Sequence, residues 1–141
     1  MGTVGAVLGL LFSWSSQAQL FDAADQSGGE LFLRYCAACH GPEGRGDGPV
    51  AATLRNAPPN LRLLSERAGG VFPAALVREL VDGRAISGAH GTREMPIWGY
   101  EFWVEEGADS VAEEDARAII ARLVEFLESI QDEQTGNLPI L

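Results

Sequence analysis

The sequence predicts an all-α chain, four to five helices joined by long loops, and three observations carry that prediction. Ala116, Ile119, Ile120, Leu123, Val124, Phe126, Leu127 and Ile130 recur at helical spacing, with Asp115, Arg122, Glu125 and Glu128 on the other side. Ser27 followed by Glu30 forms a capping-box pattern ahead of Leu31, Phe32 and Tyr35. No period-two alternation and no internal repeat stands out, so neither a sheet nor a solenoid is indicated.

Taken in order, residues 1–18 read as an export signal. Thr3 to Phe12 is uncharged and mostly apolar, but shorter than the ~20 residues a membrane-spanning helix needs. Ser16 and Ala18 suit cleavage before Gln19, although no Lys or Arg precedes the apolar run. The segment is therefore a cleaved leader or a retained anchor. Residues 19–26 are a lead-in, 27–131 the folded domain and 132–141 a tail. The first helix runs from Ser27 into the cysteines. Gly41 to Gly48 holds four glycines and a proline, which is loop chemistry, with a helical turn expected around Val50 to Leu54.

Asn60 caps a short helix over Leu61 to Arg67 that stops at Gly69-Gly70. Pro73 suits the first turn of a helix carrying Leu76, Val77, Leu80 and Val81, closed by Gly83. Arg84 to Tyr100 reads as mostly loop, followed by the short apolar cluster Phe102-Trp103-Val104. Ser110, with Glu113 completing a box, opens the last helix.

Charge narrows the partners. Twenty acidic residues oppose ten arginines, lysine is absent, and the net charge is −10. Nucleic acid and anionic membrane surfaces are poor matches for such a chain; a basic or apolar protein surface is a better one. The paired acids Glu105-Glu106 and Glu113-Glu114-Asp115 read most simply as a solvated face.

The two cysteines are too few for a disulfide framework and must be explained as a local site. They stand in Cys36-Ala37-Ala38-Cys39-His40, and Cys-x-x-Cys-His is the pattern of c-type haem attachment. Residues three apart share a helical face, so Cys36 and Cys39 can bond neighbouring vinyl groups of one porphyrin edge. His40 can then turn its imidazole toward the iron. A thioredoxin-like pair calls for a βαβ setting that this chain lacks, a zinc site lacks nearby histidines, and a plain disulfide gives His40 no role.

Iron takes a second axial ligand, and the choice is narrow. Apart from Met1 the chain has one methionine, Met95, and apart from His40 one histidine, His90. Met95 lies in Glu94-Met95-Pro96-Ile97-Trp98-Gly99. A thioether favours ferrous iron and raises the potential relative to a second imidazole. The bland reading of Met95 is a flexible core filler; Pro96 opposes it by holding Met95 extended. His90, between Ala89 and Gly91, reads as a solvated loop histidine. Arg84 and Arg93 flank the ligand loop and either pair with a haem propionate or offset acidic charge. Trp98 and Trp103 read as packing residues at the porphyrin edge.

Over roughly Ser27 to Ile130 the chain resembles the class I, single-haem c-type cytochromes of the bacterial periplasm. The resemblance rests on the helix ending in Cys-x-x-Cys-His, Gly28 and Phe32 ahead of it, Met95-Pro96, and the amphipathic final helix. It implies the cytochrome c fold around one covalent haem, with the first and last helices crossing where Gly28 and Phe32 meet Leu123 and Phe126. It also implies a proline carbonyl orienting His40, from Pro58 or Pro59. The family's ring of docking lysines has no counterpart here. The implied function is single-electron transfer between respiratory or dehydrogenase partners, without enzymatic turnover. The rival readings are a haem-based sensor with a labile Met95 side and a membrane-tethered subunit of a larger oxidoreductase.

Overall fold

A computed structural model describes residues 23–85 and 95–133. The expected leader, His90, Arg93 and the tail beyond residue 133 lie outside the described residues. After a 3-10 turn at Ala23–Asp25, helix α1 (Gly28–Tyr35) starts at Ser27 with the expected capping box. The Ser27 hydroxyl accepts from the Glu30 N–H, and the Ser27 N–H donates to the Glu30 carboxylate at 2.8 Å. A short helix α2 (Ala37–His40) follows without a connecting loop. The run into the cysteines is therefore two helices, because the Cys36 backbone (φ −113°, ψ −33°) departs from ideal helix.

A 3-10 turn at Ala51–Thr53 lies where a helical turn was expected. Asn60 then caps the 3-10 turn Leu61–Leu63, which runs on into α3 (Leu64–Arg67). Helix α4 (Ala74–Asp82) ends at Gly83, whose left-handed conformation (φ 70°) costs glycine little. Val77 and Val81 of α4 are buried, whereas Leu76 stays 54% exposed. No strand occurs among the described residues.

Two sequence expectations change here. Trp98–Glu105 is a helix, α5, where the sequence reads as loop and apolar cluster. Its aromatic residues carry no polar–apolar period, and packing of Trp98 and Phe102 decides the conformation in place of propensity. The long helix α6 (Ser110–Ser129) is capped by Asp109, not by Ser110. The Asp109 carboxylate accepts from the N–H groups of Val111 and Ala112 at 2.8 and 2.9 Å. Glu113 consequently closes no box.

The core lies where α1, α4 and α5 pack on α6, and Leu31, Phe32, Phe102, Ile119, Ile120 and Leu123 are fully buried. Each such side chain contributes about 1.5–3 kcal/mol relative to exposure. The α1–α6 crossing is close enough that a Cβ on Gly28 would fall 2.1 Å from the Arg122 carbonyl oxygen. The Phe32 and Phe126 rings meet beside it, with centroids 5.2 Å apart. Arg122 does not belong to a solvated face; it is partly buried and donates from Nη2 to the Ala23 carbonyl at 3.0 Å.

Arg84 binds the end of α4 to the start of α6. Its Nε and Nη2 donate to the two Asp82 carboxylate oxygens at 2.8 Å each. Its Nη1 and Nη2 donate to Glu113 at 2.6 and 3.2 Å. These hydrogen bonds hold both carboxyls below their ordinary values of 3.8 and 4.5. A carboxyl depressed in the folded state stabilises above its unfolded value, and that contribution is lost as pH falls through the lower folded value. Wild type and Arg84→Gln should thus differ in unfolding free energy near neutrality and converge in acid, below the ordinary carboxyl values. Denaturant titrations across that range check this; a gap independent of pH would contradict it.

Candidate functional site

Helix α2 presents the cysteine–histidine motif as a single turn. The Cys36 N–H donates to Phe32 O at 2.9 Å, closing α1, and Cys36 O accepts from the N–H groups of Cys39 and His40 at 3.2 and 2.9 Å. Both thiols are half-buried and neither is in a disulfide. Burial, with Cys39 adjacent, pushes the Cys36 thiol up to about 12. Among the described residues no three His, Cys, Asp or Glu side chains gather to hold a metal ion by themselves.

The glycine-rich loop wraps this turn through its backbone. The last four carbonyls of a helix lack partners within it, and here the loop supplies all four. Gly41 N–H donates to Ala37 O at 2.9 Å, Val50 N–H to Ala38 O at 3.1 Å, Gly48 N–H to Cys39 O at 3.1 Å and Gly46 N–H to His40 O at 2.7 Å. A Cβ on Gly48 would sit 2.4 Å from Ala38 O and 2.6 Å from the Cys39 carbonyl carbon.

The same loop selects the carbonyl that meets His40. Gly46 (φ 83°) lies against Pro58 and Pro59, where a Cβ would come 2.4 Å from Pro58 O. Of the two candidate prolines it is Pro59 whose carbonyl lies 3.3 Å from His40 Nδ1. A carbonyl only accepts, so Nδ1 carries the proton and Nε2 keeps its lone pair. Burial also lowers the His40 pKa, partly offset by the Pro59 bond, which favours the neutral imidazole a metal requires.

Met95 is 42% exposed and outside the core, unlike a core filler. Three residues on, Trp98 stacks on Phe102 (5.5 Å) and meets Tyr35 edge-on (5.5 Å). Tyr35 immediately precedes Cys36, so this aromatic cluster ties the segment after Met95 to the cysteine turn. The Tyr35 hydroxyl donates to Glu105 at 2.9 Å, and Arg34 pairs with the same carboxylate at 3.2 Å. Glu105 is therefore engaged, not merely solvated. Tyr35 gave no sequence signal beyond its place before Cys36.

Trp103 has a structural task, its Nε1 donating to Asp109 O at 3.0 Å and bracing the turn between α5 and α6. Arg84 is committed to Asp82 and Glu113.

The family described as cytochrome c oxidase, cbb3-type, subunit III, matches residues 23–113. The chain belongs to that family. It is a c-type cytochrome, an electron-transfer protein with covalently bound haem c and its iron. No curated protein and no solved structure matches the chain. The residues of this cytochrome fit the cofactor: two uncommitted thiols share one helical turn, and an imidazole beside them has its Nε2 lone pair fixed by Pro59.

Proposed function

We propose that this cytochrome is a single-haem electron carrier, with Cys36 and Cys39 bonding the porphyrin and His40 and Met95 holding the iron. The observation that carries the reading is the His40–Pro59 bond, which fixes the imidazole in the ligating tautomer on the turn that bears both thiols. Bound haem supplies an iron that changes oxidation state by one electron with little rearrangement. The protein's part is to hold it. Cys36 and Cys39 would prevent its loss, Pro59 would set imidazole basicity, and Met95 would supply the iron with a thioether in place of oxygen or carbon monoxide. Pro58 and Trp98 complete the surroundings, Trp98 by packing on Tyr35 and Phe102.

On this reading the folded domain is 27–131, and the chain is exported to the periplasm by residues 1–18. It exchanges electrons with respiratory or dehydrogenase proteins through basic or apolar surfaces, as its charge of −10 favours. The matched family's description supports a second reading, a subunit docked permanently in a larger oxidase. Among the described residues no helix is long and apolar enough to cross a membrane. The mass of the mature protein separates the two: a start near Gln19 supports the free carrier, and a retained leader the tethered subunit.

The ligand assignment is tested by Met95→Ala. Wild-type ferric protein should show the weak red absorption band of iron–thioether bonding, and ferrous wild type should resist carbon monoxide. The variant should lose the band and bind carbon monoxide stoichiometrically. A wild type without the band, or one that binds carbon monoxide as readily as the variant, would count against Met95 and for the sensor reading.

A further inference from the structure

We propose that Arg84, with Asp82, is the positioning residue for Met95: together they clamp the backbone that follows the thioether ligand. The proposal rests on Met95 being that ligand. It goes further by naming what keeps it in place.

Three adjoining contacts bring the end of α4 against residues 97–99. A Cβ on Gly83 would lie 3.5 Å from Ile97 Cα and 3.4 Å from its Cγ2. Gly99 is buried, and a Cβ there would come 2.6 Å from both Arg84 Nε and Asp82 Oδ1. The guanidinium–carboxylate pair therefore lies directly on the first turn of α5. Between these contacts, Trp98 is fixed by Tyr35 and Phe102.

Pro96 is the only residue between Met95 and this held stretch, and its ring restricts Met95 as well as itself. Little freedom separates the clamp from the thioether. The fork on Arg84 is anchored twice, on Asp82 and on Glu113 of α6, so it cannot swing away without breaking charge-assisted bonds at both carboxylates. The first turn of α5 has no side-chain cap of its own. Its order depends on neighbours, and the Asp82–Arg84 pair is a polar one among them. A bidentate fork is the feature that matters, which a lysine cannot reproduce.

The test uses the haem-loaded protein and imidazole, which displaces a thioether from ferric iron. The red band reports the loss of Met95 bonding and the Soret shift reports imidazole binding. Arg84→Gln should bind imidazole about tenfold more tightly than wild type, as expected if one charge-assisted contact no longer restrains the ligand. Arg84→Lys should fall between them. The amides of Tyr100 and Glu101, which donate to Ile97 O at 2.9 and 3.0 Å, should exchange with solvent faster in the same order.

Arg117→Gln is the charge-matched control. Arg117 touches the same Glu113 but is 70% exposed, and its loss should leave imidazole affinity unchanged. If Arg84→Gln and Arg84→Lys bind imidazole as wild type does, the positioning role is wrong, whatever their stability. If Arg117→Gln matches Arg84→Gln, the effect is one of net charge and the clamp is refuted. Should Arg84→Gln take up no haem, the lysine variant and the exchange rates decide alone. Failure of the ligand assignment looks different: wild type would then lack the red band from the outset.

Discussion

Replacing Gly28 by alanine should destabilise the holoprotein by about 2–3 kcal/mol, whereas the same change at Gly29 should be neutral or slightly favourable. At Gly28 the new methyl would lie 2.1 Å from the Arg122 carbonyl oxygen, 2.9 Å from that carbonyl carbon and 2.8 Å from Phe126 Cβ. Two of those atoms are backbone of α6, held by its own helical ladder, so α1 must back away. Separation also parts the Phe32 and Phe126 rings, and such a pair contributes about 0.5–1.5 kcal/mol beyond its buried area. At Gly29 the nearest atom is Phe126 Cε2 at 3.4 Å, an ordinary contact. Alanine there gains helix propensity with no clash. For a domain of this size 2–3 kcal/mol corresponds to a fall in Tm of roughly 10 °C. Thermal unfolding of the two variants, followed by helical circular dichroism, checks the contrast. Equal Tm values would mean that the helices do not cross where the structure places them.

The crossing itself was implied by the resemblance to the class I c-type cytochromes, while each of its parts has a local signature in the sequence. A capping box at Ser27, an aromatic at Phe32 and an amphipathic run from Ala116 to Ile130 are visible without tertiary information. The cysteine–histidine turn is equally local, since its chemistry is set by spacing alone. Helix α5 was not legible. Trp98, Tyr100, Phe102 and Trp103 give it no polar face, and Gly99 counts against a helix by propensity. Its conformation comes from contacts with Tyr35, far away in sequence, and with Asp82 and Arg84.

The cap of α6 failed for a smaller reason. Asp109 and Ser110 are both good N-cap residues in succession, and only the backbone decides between them. The choice between Pro58 and Pro59 was likewise closed to the sequence, because it depends on how Gly46 folds the intervening loop back onto α2. Arg84 shows the same limit from the other direction. Its charge is evident in the sequence, but its two carboxylate partners lie on different helices and specify a clamp rather than a surface charge.

Gly48→Ala should impair haem attachment itself, and more severely than any change confined to the Met95 side. The added methyl would meet Ala38 O at 2.4 Å, the Cys39 carbonyl carbon at 2.6 Å and Ala37 O at 2.7 Å, all of them backbone of the cysteine turn. Gly48 also donates to Cys39 O at 3.1 Å, so the loop cannot retreat without exposing a helix-terminal carbonyl to solvent or leaving it unpaired. Overpacking of this kind costs about 1–3 kcal/mol, and here the strain falls on the atoms that set the spacing of Cys36 and Cys39. The fraction of purified chain carrying haem, read from intact mass and from the reduced haem spectrum, should fall below that of wild type. Gly46→Ala provides the comparison. Its methyl would press on Pro58 O and the Pro59 carbonyl, at 2.4 and 3.2 Å, and not on α2. Alanine is strained at φ 83° and Gly46 also holds His40 O, so attachment should fall here too; in the fraction that loads, the weakened Pro59 bond to His40 should make the imidazole a poorer donor and raise the reduction potential. A Gly48 variant that loads normally, or a Gly46 variant with an unchanged potential, would show that the loop only covers the turn and does not set its geometry.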